Sequence, residues 1–387
     1  MGDSGLRIID RRDFFAVLGR YGAGACGLCA YGGWAAGHAL AAPPKFQPPP
    51  GGRRVDFFET LPDKSVVCGV CPRHCAVNDG ETGFCRSRTN VGGTYYPRGY
   101  ARPAVVRVDP IEKIPMSHFR PGTRTMTIAV GGCNLRCLYC QNWQHSQVSP
   151  DELKTFDLTP EQAVAAAKEK GVDTIAFNYT DPTASLEYAK DVALAARKAE
   201  IRVVAATGGY IEPEPLIDFA RHMDAITVGL KGYTEEFYDK VCGVRLEGVL
   251  KAIETIRTKT DCWLELVNLV VPTYNDDVAT IRKMAGWVRR TVGASTPLHF
   301  SRFVPMYRLT NLPRTPVETL DAACAAARDV GLQYVYTSNI APHDGNNTYC
   351  PKCHAGLIER LGFKVLANRT NRGRCPKCGL ALPGVWA

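Results

Sequence analysis

Three cysteines at positions 133, 137 and 140 are the residues whose types and spacing point most directly to chemistry. They lie in the segment GGCNLRCLYCQNW at 131–143 and follow the pattern C-x3-C-x2-C. A structural zinc ion requires four ligands in tetrahedral geometry, so three thiolates leave its shell incomplete. An iron–sulfur cubane has four irons, and three thiolates on one short loop fit a cluster whose fourth iron stays open. We therefore predict Cys133, Cys137 and Cys140 as catalytic ligands of a [4Fe-4S] cluster.

The residues around these cysteines suit a bound cofactor. Gly131 and Gly132 carry no side chain, so the backbone can approach the cofactor closely. The ring of Tyr139 is expected to lie against it. The alternatives are a zinc knuckle with a distant fourth ligand, or three reduced cysteines without metal. The position of the loop directly after a predicted strand favours the cluster.

A second cysteine set lies in the Gly-rich segment CGVCPRHCAVNDGETGFC at 68–85. Four thiolates complete either a second iron–sulfur cluster or a structural zinc site, and the sequence does not separate the two. His74 is expected to be a bystander. We predict a second metal site with the ligands Cys68, Cys71, Cys75 and Cys85.

A third cysteine set consists of two C-P-K-C knuckles separated by 21 residues. Paired knuckles around short strands are typical of zinc ribbons and rubredoxin-like sites. Zinc is favoured over iron because it is common in such ribbons. The predicted ligands are Cys350, Cys353, Cys375 and Cys378, whereas Cys242, Cys262 and Cys324 stand alone.

Composition narrows the class of protein. The 387 residues include sixteen cysteines, and 45% of all residues are hydrophobic and 22% charged, as in an ordinary globular protein. Disulfide frameworks are expected in short chains without a large core, so clustered cysteines here indicate metal sites. No run of about 20 apolar residues predicts a membrane span. The formal charge of +9 counts cysteines as neutral, and it gives no strong signal for nucleic-acid binding.

The elements that position the three-cysteine loop form an alternating series of strands and helices. Short apolar runs of this kind suit strands buried on both faces of a parallel sheet. Thr159-Pro160-Glu161-Gln162 predicts a helix with a capping box that stops at Gly171, and Thr315-Pro316-Val317-Glu318 predicts another that ends near Gly331. In such folds the ligand site lies beyond the carboxyl ends of the strands. The predicted strands are 126–130, 174–177, 202–205, 225–228, 263–271, 298–303 and 334–337.

The N-terminal segment reads as a targeting signal. DRRDFF at 10–15 resembles the core of a twin-arginine (Tat) signal, and a Gly/Ala-rich run leads to an Ala39-Leu40-Ala41 cleavage site. A disordered or amphipathic N-terminus with a chance arginine pair is the alternative. The predicted organisation is a signal at 1–41, a Pro/Gly-rich linker at 42–58, a Cys-rich extension at 59–120, a barrel at 121–342 and a ribbon at 343–387.

Several motifs in order resemble the radical S-adenosylmethionine (SAM) superfamily, and within it the pyruvate formate-lyase activating enzyme. The narrowest likeness is to the radical SAM member of the AmmeMemoRadiSam system. The motifs are CNLRCLYCQNWQ at 133–144, YTDPT at 179–183, GLKGYTEEFYDKVCG at 229–243, LVVPTYNDD at 269–277, HFSRFVPMY at 299–307, NTYCPKC at 347–353 and CPKCGLALPGVW at 375–386.

The resemblance implies a fold and a chemistry. The fold is an α/β partial (β/α)6-type radical SAM barrel with the Cys-rich extension and a C-terminal zinc-ribbon or rubredoxin-like module. The chemistry is reductive cleavage of SAM to a 5′-deoxyadenosyl radical that abstracts hydrogen from a protein, peptide or small-molecule substrate. An electron-transfer protein with several clusters and no SAM chemistry is the alternative. A third class, a zinc-ribbon nucleic-acid binder, requires basic and aromatic residues interleaved on one face, and the sequence shows no such pattern.

The resemblance also implies cofactor-binding residues. Asp181 stands where the family usually has Glu, Gly229 where it tends to have Asp, and Val304 where it often has His. Lys231 is expected to meet the SAM carboxylate, and Asn268 the ribose. The full predicted set is Tyr139, Asn178, Thr180, Asp181, Thr207, Lys231, Asn268 and Arg302.

The family likeness suggests partners, and the N-terminal segment suggests a location. A low-potential electron donor is expected, and Memo-type partner proteins are suggested by association. The Tat signal favours the periplasm, and the cytoplasm is the alternative because low-potential donors are more familiar there.

Overall fold

The computed structural model describes residues 46–49 and 51–386. The predicted twin-arginine signal at 1–41 and part of the predicted linker lie outside the described residues. Within the described ranges, no helix is long and apolar enough to cross a membrane.

The described residues form sixteen strands and eight α-helices. The strands are β1 Phe58–Thr60, β2 Val66–Cys68, β3 Ala76–Val77, β4 Arg88–Val91, β5 Thr94–Pro97, β6 Val105–Pro110, β7 Arg124–Ala129, β8 Thr174–Phe177, β9 Arg202–Thr207, β10 Ala225–Gly229, β11 Trp263–Val270, β12 Leu298–Arg302, β13 Val335–Ser338, β14 Thr348–Tyr349, β15 Gly356–Leu361 and β16 Lys364–Asn368. The helices are α1 Trp143–Ser146, α2 Pro160–Glu169, α3 Leu186–Arg197, α4 Pro213–Ala220, α5 Glu235–Phe237, α6 Leu246–Lys259, α7 Val278–Thr291 and α8 Val317–Asp329. Short helical turns add Ile111–Lys113, Pro150–Glu152, Pro182–Ser185, Tyr238–Cys242 and Asp344–Asn346.

An eight-stranded sheet forms the centre of the fold. Its order is β13-β12-β11-β10-β9-β8-β7-β6. Strands β7 to β13 are parallel, which confirms the predicted α/β class, and β6 pairs antiparallel with β7. Two of the parallel strands, β8 and β10, are buried along their whole length because helices cover one face and loops the other. Residues 105–110, which were predicted to lie in the Cys-rich extension, form β6 and are part of the main sheet.

Two predicted helix starts have different outcomes. The side chain of Thr159 accepts from the amide of Gln162, and Gln162 accepts from the amide of Thr159, so this capping box is confirmed. At α8 the predicted box is wrong, because Pro316 occupies the N-cap position without a side-chain bond. The hydroxyl of Thr315 is fully buried and instead donates to the carbonyl of Val270 and accepts from the amide of Phe303. Those two bonds join the end of β11 to the segment that follows β12.

The loop between β6 and β7 fills the inner face of the sheet. Ile111, Ile114, Met116 and Phe119 are fully buried against Ala176, Val204 and Ala225 of neighbouring strands. The hydroxyl of Thr227 donates to the carbonyl of Ile114 at 3.0 Å. This inner layer closes one end of the partial barrel and leaves the space at the carboxyl ends of the strands open.

The C-terminal ribbon, β14 to β16, packs against β13 and the same inner loop. Tyr334 and Tyr336 share a buried cluster with the ribbon residues Leu357 and Ile358. Arg360 is buried and donates to the carbonyl of Ser117 at 2.9 Å. The predicted C-terminal module is therefore confirmed as a four-cysteine hairpin that is joined to the barrel by buried polar contacts.

A buried carboxylate holds the inner loop to the strands beneath the ribbon. Glu265 accepts from the amides of Ser117 and His118 and from Nε2 of His299. Burial opposes its charge, but the hydrogen bonds from His299 and from the amide of Ser117 hold the pKa of Glu265 below its usual value. His118 also contacts the carbonyl of Pro383 and the hydroxyl of Tyr336, each at 2.7 Å.

Candidate active site

The three-cysteine loop follows β7 and is fixed from two sides. The amide of Cys133 donates to the carbonyl of Cys85 at 3.1 Å. Farther along the loop, Arg136 and Leu138 donate through their amides to the carbonyls of Cys242 and Val241, each at 2.9 Å. These backbone bonds give the cysteines fixed positions without using their side chains.

The three thiols differ in their surroundings. Burial raises the pKa of Cys133 well above its ordinary value, although its sulfur accepts from the amide of Leu135 at 3.4 Å. A hydrogen bond from the Cys242 thiol lowers the pKa of Cys137. The sulfur of Cys140 lies 3.2 Å from the hydroxyl of Ser146. Metal ligation requires thiolates, so these bonds help to hold the deprotonated forms that a cluster would bind.

The two glycines before Cys133 serve a different purpose from the predicted one. Gly132 has a φ of 100°, which favours glycine, and an added Cβ would collide with Ser87 Oγ and the carbonyl oxygen of Cys85. An added Cβ on Gly131 would lie 2.8 Å from Leu153. The missing side chains therefore admit the N-terminal cysteine segment and a neighbouring loop, not the cofactor.

A cavity of about 520 Å³ opens in front of the three cysteines. Residues that follow β7, β8, β9, β10 and β13 line it together with residues within β11 and β12, so the sheet wraps around one site. Of the predicted residues, the cavity wall contains Cys133, Cys137, Tyr139, Cys140, Asn178, Thr180, Asp181, Thr207 and Lys231.

Asp181 organises the polar side of the cavity. Its Oδ1 accepts from the amide of Thr183 at 3.0 Å and from the hydroxyl of Thr207 at 2.9 Å. Its Oδ2 accepts from the amide of Gly208 at 2.7 Å. An ionised carboxylate has about four acceptor positions, so one remains for a further donor in the cavity.

Lys231 supplies the positive charge of the site. Among the residues the structure describes, its ammonium group has no ion-pair partner. Burial alone would lower the pKa of Lys231, but the thiols of Cys137 and Cys242 and the carboxylate of Asp181 raise it. A Cβ on Gly229 would lie 3.0 Å from the ammonium nitrogen, so the glycine leaves room for this side chain. The site therefore presents a cation that is available to an anionic ligand group.

Two predicted residues do not reach the cavity. Asn268 donates to the carbonyl of Leu230 and contacts the sulfur of Met284 on α7, while its neighbours Val267 and Leu269 line the cavity. Arg302 donates through Nε to the carbonyl of Thr315. Successive side chains of a strand point to opposite faces, and both residues lie on the helix-facing side. The predicted ribose contact of Asn268 is not supported by its position.

Other cavity residues were missed. Ser338 and Asn339 follow the predicted last strand, so the rule that ligands bind beyond strand ends would have found them. Arg107 and Lys113 come from β6 and the inner loop, and Phe363 comes from the ribbon hairpin, which no local sequence signal indicated. Cys242 was noted only as a lone cysteine, yet its sulfur lies 3.6 Å from the hydroxyl of Tyr139.

The C-terminal cysteines are arranged for one metal ion. The four sulfur atoms lie within 4.8 Å of one another, and the pairs Cys350–Cys378 and Cys353–Cys375 are each 3.6 Å apart. Four thiolates around a tetrahedral zinc at about 2.3 Å would be about 3.8 Å apart. This set could hold a metal ion, and zinc or iron would fit it.

Comparison with known proteins identifies the family. The model of the radical SAM superfamily matches residues 127–285. An uncharacterized protein of Methanocaldococcus jannaschii is 44% identical over 329 residues, which cover 84% of this chain and 98% of that protein. The chain belongs to the radical SAM superfamily.

Two further likenesses are weaker. The pyruvate formate-lyase-activating enzyme of Clostridium pasteurianum is 24% identical over 178 residues, covering 44% of this chain and 71% of that enzyme. A radical SAM methyltransferase from Sphaerobacter thermophilus has 15% identity and a TM-score of 0.45, covering 57% of this chain and 68% of that one. Family membership implies SAM and an iron–sulfur cluster, while the AmmeMemoRadiSam likeness remains a prediction.

Proposed function

We propose that this radical SAM protein binds a [4Fe-4S] cluster through Cys133, Cys137 and Cys140 and uses it to cleave SAM reductively. When bound, the cluster supplies the electron that releases a 5′-deoxyadenosyl radical, which abstracts hydrogen from the substrate. The observation that carries the proposal is the meeting of three thiols and the ammonium group of Lys231 in a single cavity. A protein, a peptide or a small molecule is proposed as the substrate, as in activating enzymes.

The donor set fits these groups. Three buried or half-buried thiols on one loop leave one iron of a cubane without a protein ligand. Lys231 is proposed to pair with the carboxylate of SAM, and the free acceptor position of Asp181 with its amino group. Both interactions are charge-assisted hydrogen bonds, which are the strong kind.

The apolar part of the wall limits water. Leu135, Val267 and Leu269 line the cavity beside the polar groups. The ring of Tyr139 also lines the cavity, and its centroid lies 6.4 Å from that of Phe237. A reactive radical needs such exclusion of water and a fixed orientation, and these side chains are proposed to provide both.

Anaerobic reconstitution with iron and sulfide tests the proposal. Reduced protein with SAM is expected to release 5′-deoxyadenosine and methionine, measured by liquid chromatography and mass spectrometry. Cys140→Ala should abolish the release, while Cys262→Ser, a change outside all three cysteine sets, should preserve it. A fully loaded, reduced protein that releases none would instead favour the electron-transfer alternative.

A low-potential one-electron donor is proposed as a partner because the cleavage consumes an electron. Memo-type partner proteins remain a prediction from the narrower resemblance.

A further inference from the structure

The four N-terminal cysteines form a separate metal-ligating set that touches the three-cysteine loop. Cys68 ends β2, Cys75 directly precedes β3, and these two strands pair. The amide of Cys68 donates to the carbonyl of Cys75 at 3.0 Å. Cys71 lies in the turn between them, and Cys85 follows in the next loop. The fold thus brings cysteines that are up to 17 positions apart in sequence to one place.

The spacing of these sulfur atoms differs from that of the C-terminal set. In the described part of the chain, only Cys350, Cys353, Cys375 and Cys378 bring three or more such ligand atoms within 4.8 Å of one another. One tetrahedral ion requires sulfur atoms about 3.8 Å apart. In a cubane each thiolate binds its own iron, so the sulfur atoms stand farther apart. Among the described residues, no three sulfur atoms of the N-terminal set lie within 4.8 Å of one another, and the same holds for Cys133, Cys137 and Cys140.

A buried arginine accompanies the set. Arg88 is 2% exposed, and its Nη1 lies 3.9 Å from the sulfur of Cys85. Its Nη2 pairs with the carboxylate of Glu187 at 3.0 Å. Its Nε has no hydrogen-bond partner among the described residues. Although Glu187 offsets its charge, Nη1 of this buried guanidinium is placed to donate to a thiolate of Cys85.

The N-terminal set is in direct contact with the three-cysteine loop. The carbonyl of Cys85 accepts from the amide of Cys133, so a covalent path with a single hydrogen bond joins ligands of the two sets. Arg73, two residues after Cys71, donates through Nε to the carbonyl of Asn134 at 2.9 Å. On the outer side, Phe84 is 37% exposed and stacks between Arg73 and Arg136. The set therefore lies directly beside the loop proposed to hold the SAM cluster, and one of its cysteines, Cys75, is partly exposed.

We infer that Cys68, Cys71, Cys75 and Cys85 bind a second [4Fe-4S] cluster that passes electrons to the SAM cluster. An external low-potential carrier of the flavodoxin or ferredoxin class is oxidised by one electron, and the second cluster is reduced from the 2+ to the 1+ state. That electron then reduces the SAM cluster, and the second cluster returns to 2+. No bond forms or breaks in the transfer. The relay rests on the proposed function, whereas the binding of the cluster does not.

Metal and sulfide analysis of the full-length chain tests the binding. After anaerobic reconstitution, wild type should hold about eight iron and eight sulfide, and Cys133/Cys137/Cys140→Ala about four of each. The triple variant should show the electron paramagnetic resonance signal of a reduced [4Fe-4S] cluster without any effect of added SAM. Because the C-terminal ribbon is predicted to hold one metal ion of its own, the sulfide count decides. A triple variant with about two metal ions and no sulfide would overturn the inference. This variant keeps the N-terminal set intact, and the measurement is of bound iron and sulfide. The result therefore does not depend on SAM cleavage.

Freeze-quench spectroscopy of wild type tests the relay. Mixed with a reduced flavodoxin, the protein should show the signal of the second cluster before that of the SAM cluster. Cys68/Cys71/Cys75/Cys85→Ala should lose the fast reduction phase while Cys262→Ser retains it. Simultaneous reduction of both clusters in wild type, or reduction of the SAM cluster first, would overturn the relay, whether or not the quadruple variant folds.

Discussion

Replacing Lys231 by methionine removes the positive charge of this residue from the cavity while keeping the length and much of the volume of the side chain. The ammonium group sits near Cys137, Cys242 and Asp181, which raise its pKa, so it stays charged at neutral pH. Its proposed partner is the SAM carboxylate. A hydrogen bond to a charged group contributes about 1.5–3 kcal/mol. At about 1.4 kcal/mol for each factor of ten, SAM should bind roughly 10- to 150-fold more weakly to the variant.

Equilibrium dialysis of the reconstituted protein with labelled SAM measures this change directly. Lys240→Met is a matched control, because Lys240 lies on the same connection between β10 and α6 but is exposed and pairs only with Glu236. The control should bind SAM like wild type. Because the pKa of Lys231 is raised above 10.5, affinity for SAM should not fall between about pH 7 and 9 through loss of this charge. Wild-type affinity in Lys231→Met, with its cluster loaded, would refute the proposed pairing.

Three further predictions concern the fold around the site. Gly132→Ala should destabilise the three-cysteine loop and reduce cluster loading, because the new Cβ collides with Ser87 and Cys85. The control Gly293→Ala, at a φ of 109° with no neighbouring atom within 4 Å, should show only the backbone cost of about 1 kcal/mol in urea unfolding. Burial lowers the pKa of His118 from 6.5 to about 4, so on acidification the unfolded chain takes up a proton at this imidazole before the folded protein does. The free energy of unfolding should therefore decline as pH falls from about 6.5 towards 4. His118→Gln should flatten that decline, and an unchanged pH profile would contradict the lowered pKa of His118. Cys375→Ser should lower the ribbon's bound metal to near zero, read by mass spectrometry of the native protein, and the same loading as wild type would contradict a four-thiolate site.

The parallel strands were predictable because they are short runs in which most residues are buried. β8 was found with its exact bounds, and β10 with an error of one residue. β6 was missed because its run VVRVDP contains Arg107 and Asp109 and ends in proline, which reads as an edge or a loop. As an antiparallel edge strand it has polar neighbours that a buried strand lacks. The sequence signal was therefore strong where burial was complete and weak at the edge.

The candidate site was predictable in outline but not in the direction of each side chain. Lys231 and Asp181 follow strands, so the rule about carboxyl ends was enough to bring them together. Asn268 lies within a strand, where a shift of one position turns a side chain to the opposite face. Its phase depends on how β11 pairs with β10 and β12, which is a tertiary property. Thr315 shows the same limit, since a local capping pattern gave way to two buried hydrogen bonds with distant residues.

The ribbon belongs to the active-site wall as well as to the C-terminus. Phe363 lies at the turn between β15 and β16 and lines the cavity. Arg360, on the same hairpin, is held by Ser117 of the inner loop and by Thr348 at 2.9 Å. The four cysteines close the far end of this hairpin, and a bound metal ion would restrict its movement. The turn lines the cavity, whereas the metal ligands lie at the opposite end of the hairpin. Loss of the metal should therefore loosen the part of the cavity wall that a substrate must pass. The three-cysteine loop should not change. The ribbon metal is thus expected to affect the handling of substrate more than the binding of SAM.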